Sequence, residues 1–109
     1  GKNVCPEEVE NVIETNMDYV NEMVVYQAEL TKGNASSMFI CAGLYIEDQQ
    51  LRGNVEKIRS DIEKVNAVLP DYNRIQYVEL VGQEYPKTST RKIKRSGLPE
   101  KCSGKGIII

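Results

Sequence analysis

Residues 37–47 read SMFICAGLYIE, an almost continuously apolar stretch that contains aromatic and β-branched side chains. A short apolar run of this kind is typical of a strand that is covered on both faces inside a sheet. Gly43 within it favours a β-bulge, since a glycine in a strand interior often marks one. We therefore expect this strand to be central and the other elements to pack around it.

Two other segments have the composition of strands. Residues 22–30 (EMVVYQAEL) are too short and too rich in β-branched side chains for a free helix, and a turn at residues 32–34 follows them. Residues 75–81 (IQYVELV) have the same character and come after a turn at residues 72–74. The sequence thus predicts a small sheet of about three strands.

Two amphipathic helices are predicted, one near the start of the chain and one between the second and third strands. The first begins at about Pro6, which precedes two acidic residues, and fades near residues 16–18. The second has Asn54 as its N-cap and stops at Pro70. Their apolar residues recur at three- and four-residue spacing: Val9, Val12, Ile13 and Met17, then Val55, Ile58, Ile62, Val65 and Leu69.

This order of elements predicts one α+β domain in which helices pack on the small sheet, as expected for 109 residues. Residues 93–95 favour a short helical turn, which the Gly-Leu-Pro sequence at residues 97–99 would break. Residues 102–109 resemble a frayed tail with a small apolar end.

Composition excludes several kinds of chemistry. The chain has no histidine, so catalysis by Ser-His-Asp or Cys-His groups and histidine-based metal sites are excluded within it. Its three cysteines, Cys5, Cys41 and Cys102, form no CxxC pair, which favours idle thiols in a reducing compartment. No apolar run approaches the roughly 20 residues of a membrane span. We expect a soluble protein without a metal site.

The positive charge is concentrated near the C-terminus. From Tyr85 onward seven lysines and arginines face Glu100 alone, a net charge of +6, although the whole chain has a net charge of −2. Five of these cations lie in PKTSTRKIKR, residues 86–95, the segment called the basic loop below. Such a segment cannot bury its backbone or its charges, so it must lie at a surface and favours an anionic partner.

Two segments at opposite ends of the sequence carry a family resemblance. The basic loop resembles the last core motif of the adenylate-forming acyl-CoA synthetase superfamily, Pro-Lys-Thr-x-x-Gly-Lys-x-x-Arg. Residues 1–10 (GKNVCPEEVE) are similar to the end of an earlier core motif, which in fatty acyl-CoA ligases often reads Gly-Lys-Asn-Val-x-Pro-Glu-Glu-Val-Glu. Residues 69–81 (LPDYNRIQYVELV) are similar to the Leu-Pro-x-Tyr-x-x-Ile segment of the same enzymes.

The resemblance covers roughly residues 1–96, leaving residues 97–109 as a C-terminal tail, and is strongest to long-chain fatty acid-CoA ligases. It implies the mobile C-terminal lid domain of an AMP-forming acid-thiol ligase. In such enzymes a carboxylate and ATP give an acyl-adenylate and pyrophosphate, and the thiol of coenzyme A (CoA) then displaces AMP. The lid rotates between the two half-reactions, presenting opposite faces to one active site.

The resemblance also implies partners that lie outside this sequence. A larger N-terminal adenylation domain of the same polypeptide would hold most of the ATP site and the acid pocket, so the chain alone is expected to be inactive. The full-length enzyme would use a fatty acid, ATP and CoA, with magnesium accompanying ATP and no cofactor bound by the isolated domain. Its expected location is the cytoplasm, with membrane association of the full-length enzyme left open. The acyl chain length is not encoded here.

Residue by residue, the family's invariant lysine falls on Lys92, where an ammonium would bridge the attacking carboxylate and the α-phosphate. Lys87, Thr88 and Arg95 fall on motif positions that support the loop, and a guanidinium fork suits such bracing. The family glycine before the lysine is replaced by Arg91. This replacement adds bulk and charge beside the expected catalytic position.

Gly1, Lys2 and Asn3 match the segment that, in the family, lines the pantetheine channel for CoA during thioester formation. A glycine at that point permits close approach of backbone to ligand. An equally simple interpretation is that Gly1 is the remnant of an added tag.

Two alternatives follow from the residues themselves. A free-standing α+β module could bind RNA or another polyanion through the basic C-terminal segment, with strong salt dependence. The tyrosines do not show the closely spaced stacking pattern of RNA-binding sheets, which disfavours nucleic acid. A subunit-interface domain without chemistry would be favoured if Lys92 were buried in an ion pair.

Overall fold

A four-stranded mixed sheet with helices on one face forms the fold in the computed structural model, which describes residues 4–109. The predicted α+β class is confirmed, with a sheet of four strands where about three were expected. The elements are α1 (Pro6–Asn16), β1 (Glu22–Lys32), β2 (Ala35–Tyr45), α2 (Gln49–Arg52), α3 (Val55–Val68), a 3₁₀ turn (Asp71–Asn73), β3 (Tyr77–Val81) and β4 (Ile107–Ile108).

The two longer helices lie where the sequence predicts them. Helix α1 begins at Pro6 and buries Val9 and Ile13. Helix α3 is capped by the side chain of Asn54, which accepts a hydrogen bond from the backbone N–H of Lys57 at 3.1 Å. Their apolar faces pack on one face of the sheet and form the main core. The sequence analysis did not predict the four-residue helix α2. This helix is capped by the side chain of Asp48.

Strand β2 lies inside the sheet, antiparallel to β1 and parallel to β3. Its pairing with β1 is continuous from Glu22↔Tyr45 to Lys32↔Ala35, so the predicted bulge at Gly43 is wrong. Residues 40–44 are buried, whereas residues 35–38 are exposed. The expected burial on both faces therefore applies to the part of β2 that has β3 beside it.

The C-terminal residues form structure where a frayed tail was expected. Strand β4 pairs antiparallel with β3, and Ile107 is buried. The phenol oxygen of Tyr77 accepts hydrogen bonds from the backbone N–H groups of Gly104 (3.1 Å) and Gly106 (2.7 Å). This segment covers the face of the sheet opposite the helices, where Cys102 packs against a second, smaller core cluster.

The side of β1 that faces away from β2 is also occupied. The backbone N–H of Val25 donates to a carboxylate oxygen of Glu10 at 2.7 Å. Farther along, the N–H of Glu29 donates to the carbonyl of Glu100 at 2.9 Å, and the N–H of Cys102 donates to the carbonyl of Glu29 at 2.8 Å. Helix α1 and the C-terminal segment thus satisfy backbone groups that β2 cannot reach. Across residues 4–109, no helix combines the length and apolarity required to cross a membrane.

Candidate functional site

The basic loop is a narrow hairpin that stands on the surface beside α1 and β1. Its two arms are joined by an isolated bridge between Lys87 and Ile93. The helical turn predicted at residues 93–95 is therefore wrong, because this arm is held extended against the other. The backbone hydrogen bonds inside the hairpin run from Thr88 to Lys92 (2.7 Å), from Arg91 to Thr88 (2.9 Å) and from Lys94 to Pro86 (2.9 Å), donor named first.

Arg91 closes the tip of this hairpin with an unusual backbone conformation. Its φ of +64° lies in the left-handed region, and no other non-glycine residue among residues 4–109 has a positive φ. Side chains with a Cβ adopt this region at a cost, whereas glycine does not. The position where the resembling motif has glycine is thus one where the backbone favours glycine.

Lys92 directly follows Arg91 in the hairpin. The residue is exposed, and within the described residues 4–109 its ammonium makes no hydrogen bond or ion pair. Its backbone is held by Thr88, whose hydroxyl accepts the Lys92 N–H at 3.3 Å. Lys92 is therefore a free cation on a fixed backbone.

The first arm of the loop is anchored by Lys87. Its ammonium forms a salt bridge with Glu22 of β1 and donates to the carbonyl of Tyr85 at 3.3 Å. The hydrogen bond that Lys87 donates to Glu22 raises the pKa of Lys87 above its ordinary value. Glu22 also accepts the backbone N–H of Tyr85 at 2.8 Å, so this carboxylate fixes both the start of the loop and the residue before it.

The second arm is anchored by Arg95. Its guanidinium donates from Nη1 to Oε2 of Glu10 at 2.9 Å and from Nη2 to Oε1 at 2.6 Å, a bidentate pair. The hydrogen bonding raises the pKa of Arg95 further above its ordinary value. Sequence reasoning missed this partner, although Glu10 is the last residue of the stretch GKNVCPEEVE.

An open groove of about 640 Å³ lies between the basic loop and α1. Lys92, Thr88 and Arg95 line it from the loop, and Glu7, Glu10 and Asn11 line it from the helix. The loop wall is cationic and hydroxyl-bearing, and of its two cations only Lys92 lacks a carboxylate partner among residues 4–109. The groove can thus present one ammonium to an anionic group.

Other predicted site residues lie elsewhere. Gly1, Lys2 and Asn3, the predicted CoA-channel residues, are outside the described residues.

Cys41 and Cys102 are brought together by the fold, with their sulfur atoms 3.6 Å apart, although 61 residues separate them in sequence. Within residues 4–109, no group of three or more His, Cys, Asp or Glu side chains could hold a metal ion.

The α+β domain with a lysine-bearing surface hairpin matches a known class of enzyme domain. The family described as AMP-binding enzyme C-terminal domain matches residues 1–103. The chain therefore belongs to this family. Among curated proteins, no sequence matches it.

Solved structures share the fold. A Mycobacterium tuberculosis fatty acyl CoA synthetase matches with a TM-score of 0.64 and 23% identity over 88% of this chain. The o-succinylbenzoate CoA synthetase from Bacillus subtilis, in complex with the acyl-adenylate intermediate OSB-AMP, matches with a TM-score of 0.62 and 18% identity over 90% of this chain. The chain spans 17% and 18% of these two proteins, respectively.

The two alternatives gain no support. Neither the family match nor the structural neighbours point to a free-standing module that binds RNA or another polyanion. Two cations of the basic loop, Lys87 and Arg95, are also paired with carboxylates of the domain. The interface hypothesis required Lys92 to be buried in an ion pair, whereas Lys92 is exposed and has no such partner within residues 4–109.

Proposed function

We propose that this chain is the mobile C-terminal domain of an ATP-dependent, AMP-forming acyl-CoA ligase that acts on a long-chain fatty acid. In this proposal Lys92 serves the adenylation half-reaction, and residues 1–3 line the channel for CoA. The activity requires an N-terminal adenylation domain of the same polypeptide. The isolated domain is then inactive, because it holds neither the acid pocket nor most of the ATP site.

The observation that carries the proposal is the free ammonium of Lys92 on an anchored loop. Bond formation between a carboxylate and the α-phosphate of ATP gathers negative charge in a small volume. A cation that is already positioned stabilises that charge without reorganising, and removing one such donor typically costs about 3–4 kcal/mol in barrier. Membership in the AMP-binding enzyme C-terminal domain family supports this chemistry for the loop.

The substrate class rests on coarser support. The opening motif is similar to that of fatty acyl-CoA ligases, and one structural neighbour is a fatty acyl CoA synthetase. A carboxylic acid pocket in the N-terminal domain would select the acid. ATP, with its magnesium ion, and CoA would be bound mainly there, and this chain would contribute Lys92 and the backbone near residues 1–3.

The test uses the full-length enzyme with ATP, magnesium and palmitate as the probe acid. Pyrophosphate release reports adenylation, and CoA-dependent consumption of supplied palmitoyl-adenylate reports thioester formation. Lys92→Ala should lower adenylation by about 100-fold or more, while thioester formation stays within about two-fold of the unsubstituted enzyme.

Lys94→Ala is the matched control, since Lys94 lies two residues away on the same loop and its side chain makes no ion pair within residues 4–109. It removes the same charge and should leave adenylation nearly unchanged. Equal loss of both half-reactions in Lys92→Ala would contradict the proposed role of Lys92. Absence of palmitate-dependent pyrophosphate release in the unsubstituted enzyme would contradict the substrate class.

A further inference from the structure

We infer that Glu10 is a positioning residue for the adenylation half-reaction, acting on Lys92 through Arg95. The inference rests on the proposed function and adds to it a residue on the first helix. Glu10 would not touch a substrate. It would fix the arm of the basic loop from which Lys92 extends.

The carboxylate of Glu10 joins three parts of the domain. It belongs to α1, it accepts the backbone N–H of Val25 in β1 at 2.7 Å, and it holds the guanidinium of Arg95 at 2.9 and 2.6 Å. Arg95 also donates to the carbonyl of Val25 at 3.4 Å. The pair is therefore seated on a strand of the sheet as well as on the helix.

This ion pair differs from an ordinary surface pair. The Glu10 side chain is only 14% exposed, although that of Arg95 is 43% exposed. A bidentate fork fixes the orientation of both groups, which a single contact between flexible chains would not do. The additional hydrogen bond to Val25 prevents Glu10 from following the loop if the loop shifts.

The loop depends on few attachments. Within residues 4–109, the side-chain hydrogen bonds and ion pairs that connect residues 86–95 to the rest of the domain come from Lys87 and Arg95. Lys92 lies between them, three residues before Arg95. Loss of the Arg95 anchor would leave one end of the hairpin free, and the backbone of Lys92 would move with it.

A shift of the Lys92 backbone matters for catalysis more than for folding. Because no hydrogen bond or ion pair within residues 4–109 holds the Lys92 ammonium, its reach is set by the backbone that carries it. Misplacement of a catalytic group by about 1 Å can cost roughly 100-fold in rate. Loss of the Glu10 anchor is thus expected to slow adenylation, in which Lys92 participates, and to leave thioester formation unchanged.

The test compares Glu10→Gln with Glu14→Gln in the full-length enzyme, using palmitate, ATP and supplied palmitoyl-adenylate as above. Glutamine keeps the size and one oxygen for Val25, but it removes the charge and one acceptor facing Arg95. Glu14 lies one helical turn further along α1 and is exposed. Glu10→Gln should lower kcat for adenylation by about 10- to 100-fold with little change in KM for ATP, whereas Glu14→Gln should change neither.

The double variant Glu10→Gln with Arg95→Met completes the test. If both residues act as one unit, the double variant will be no slower in adenylation than Arg95→Met alone. Multiplying losses, or equal losses in both half-reactions, would overturn the inference. If Glu10→Gln does not fold, Arg95→Lys carries the test, because it keeps the charge and loses the fork.

The proposed function and this inference fail differently. If Lys92→Ala leaves adenylation intact, the proposed role of Lys92 is wrong. If Lys92→Ala abolishes adenylation while Glu10→Gln has no effect, the proposed function stands and the positioning role of Glu10 is wrong.

Discussion

The phenol ring of Tyr85 lies directly against the α-carbon of Gly43 in β2. A Cβ placed on Gly43 would stand 2.0 Å from the phenol oxygen of Tyr85 and 3.4 Å from the ring of Tyr26. The glycine is therefore required for close approach of a side chain from another segment, and it does not mark a bulge. Because Tyr85 immediately precedes Pro86, this contact gives the basic loop a fixed starting point on the sheet.

Gly43→Ala should displace Tyr85 and weaken the attachment of the basic loop. Overpacking of a filled site typically costs about 1–3 kcal/mol, and we expect a loss of this size in the free energy of unfolding. Urea unfolding of the 109-residue chain measures it. Gly82→Ala is the control, since a Cβ at Gly82 would meet no atom within 4 Å. Equal stability of the two variants would argue against the contact.

Arg91→Gly should be more stable than Arg91→Ala. Both changes remove the same charge, and they differ in whether a Cβ must adopt the φ of +64° at the loop tip. A left-handed conformation costs an L-residue about 1 kcal/mol or more relative to glycine, so the two variants should differ by roughly that amount. Parallel urea unfolding curves test the difference. A more stable alanine variant would indicate that the tip has another conformation.

Three tyrosines should titrate at unusually high pH. Burial, together with nearby carboxylates, raises the pKa of Tyr85 to about 12, and burial likewise raises the pKa values of Tyr19 and Tyr26. In the unfolded chain these phenols lose their protons near pH 10. The folded state then binds more protons than the unfolded state, so the free energy of unfolding should fall as pH rises above about 10.

Tyrosinate absorbance and denaturant unfolding between about pH 9 and 12 check this expectation together. Tyr85→Phe should make the loss of stability with pH shallower, because it removes one of the shifted groups. If all six tyrosines titrate together near pH 10 while the circular dichroism remains native, the burial of these phenols is contradicted.

The thiols should differ in reactivity. Cys5 is exposed, whereas Cys41 is buried, and burial together with the neighbouring Cys102 raises the pKa of Cys41 to about 12. The thiolate is the reactive form, and the raised pKa keeps Cys41 protonated at pH 8. Cys5 should therefore react first with a disulfide reagent such as DTNB, and Cys5→Ser should remove the fast phase. A fast phase that survives in Cys5→Ser would contradict the shielding of the buried Cys41 and the half-buried Cys102.

Local signals determined the parts of the fold that were predicted correctly. Pro6 at the start of α1 and the cap at Asn54 act within one helical turn, so the sequence alone is sufficient to locate these helix ends. Strand β4 was missed because two residues among glycines and a lysine have no periodicity, and its pairing depends on β3 being present.

The basic loop could be recognised from the sequence because its motif is contiguous, whereas the role of Lys92 stays a prediction. The contact between Glu10 and Arg95 spans 85 residues and depends on how α1 packs beside β1, so no spacing in the chain could indicate it. Likewise, Arg91 was noticed as a departure from the motif, but its left-handed backbone became visible only in three dimensions.

The occupied outer side of β1 has a consequence for solubility. A strand at the edge of a sheet is a template for pairing with a strand of another molecule, and such pairing leads to aggregation. Here Glu10 covers the edge at Val25, and residues 100–102 cover it at Glu29. Removing residues 100–109 would expose the edge of β1 at Glu29, which residues 100–102 now cover. Chains truncated in this way should self-associate more readily than the intact chain.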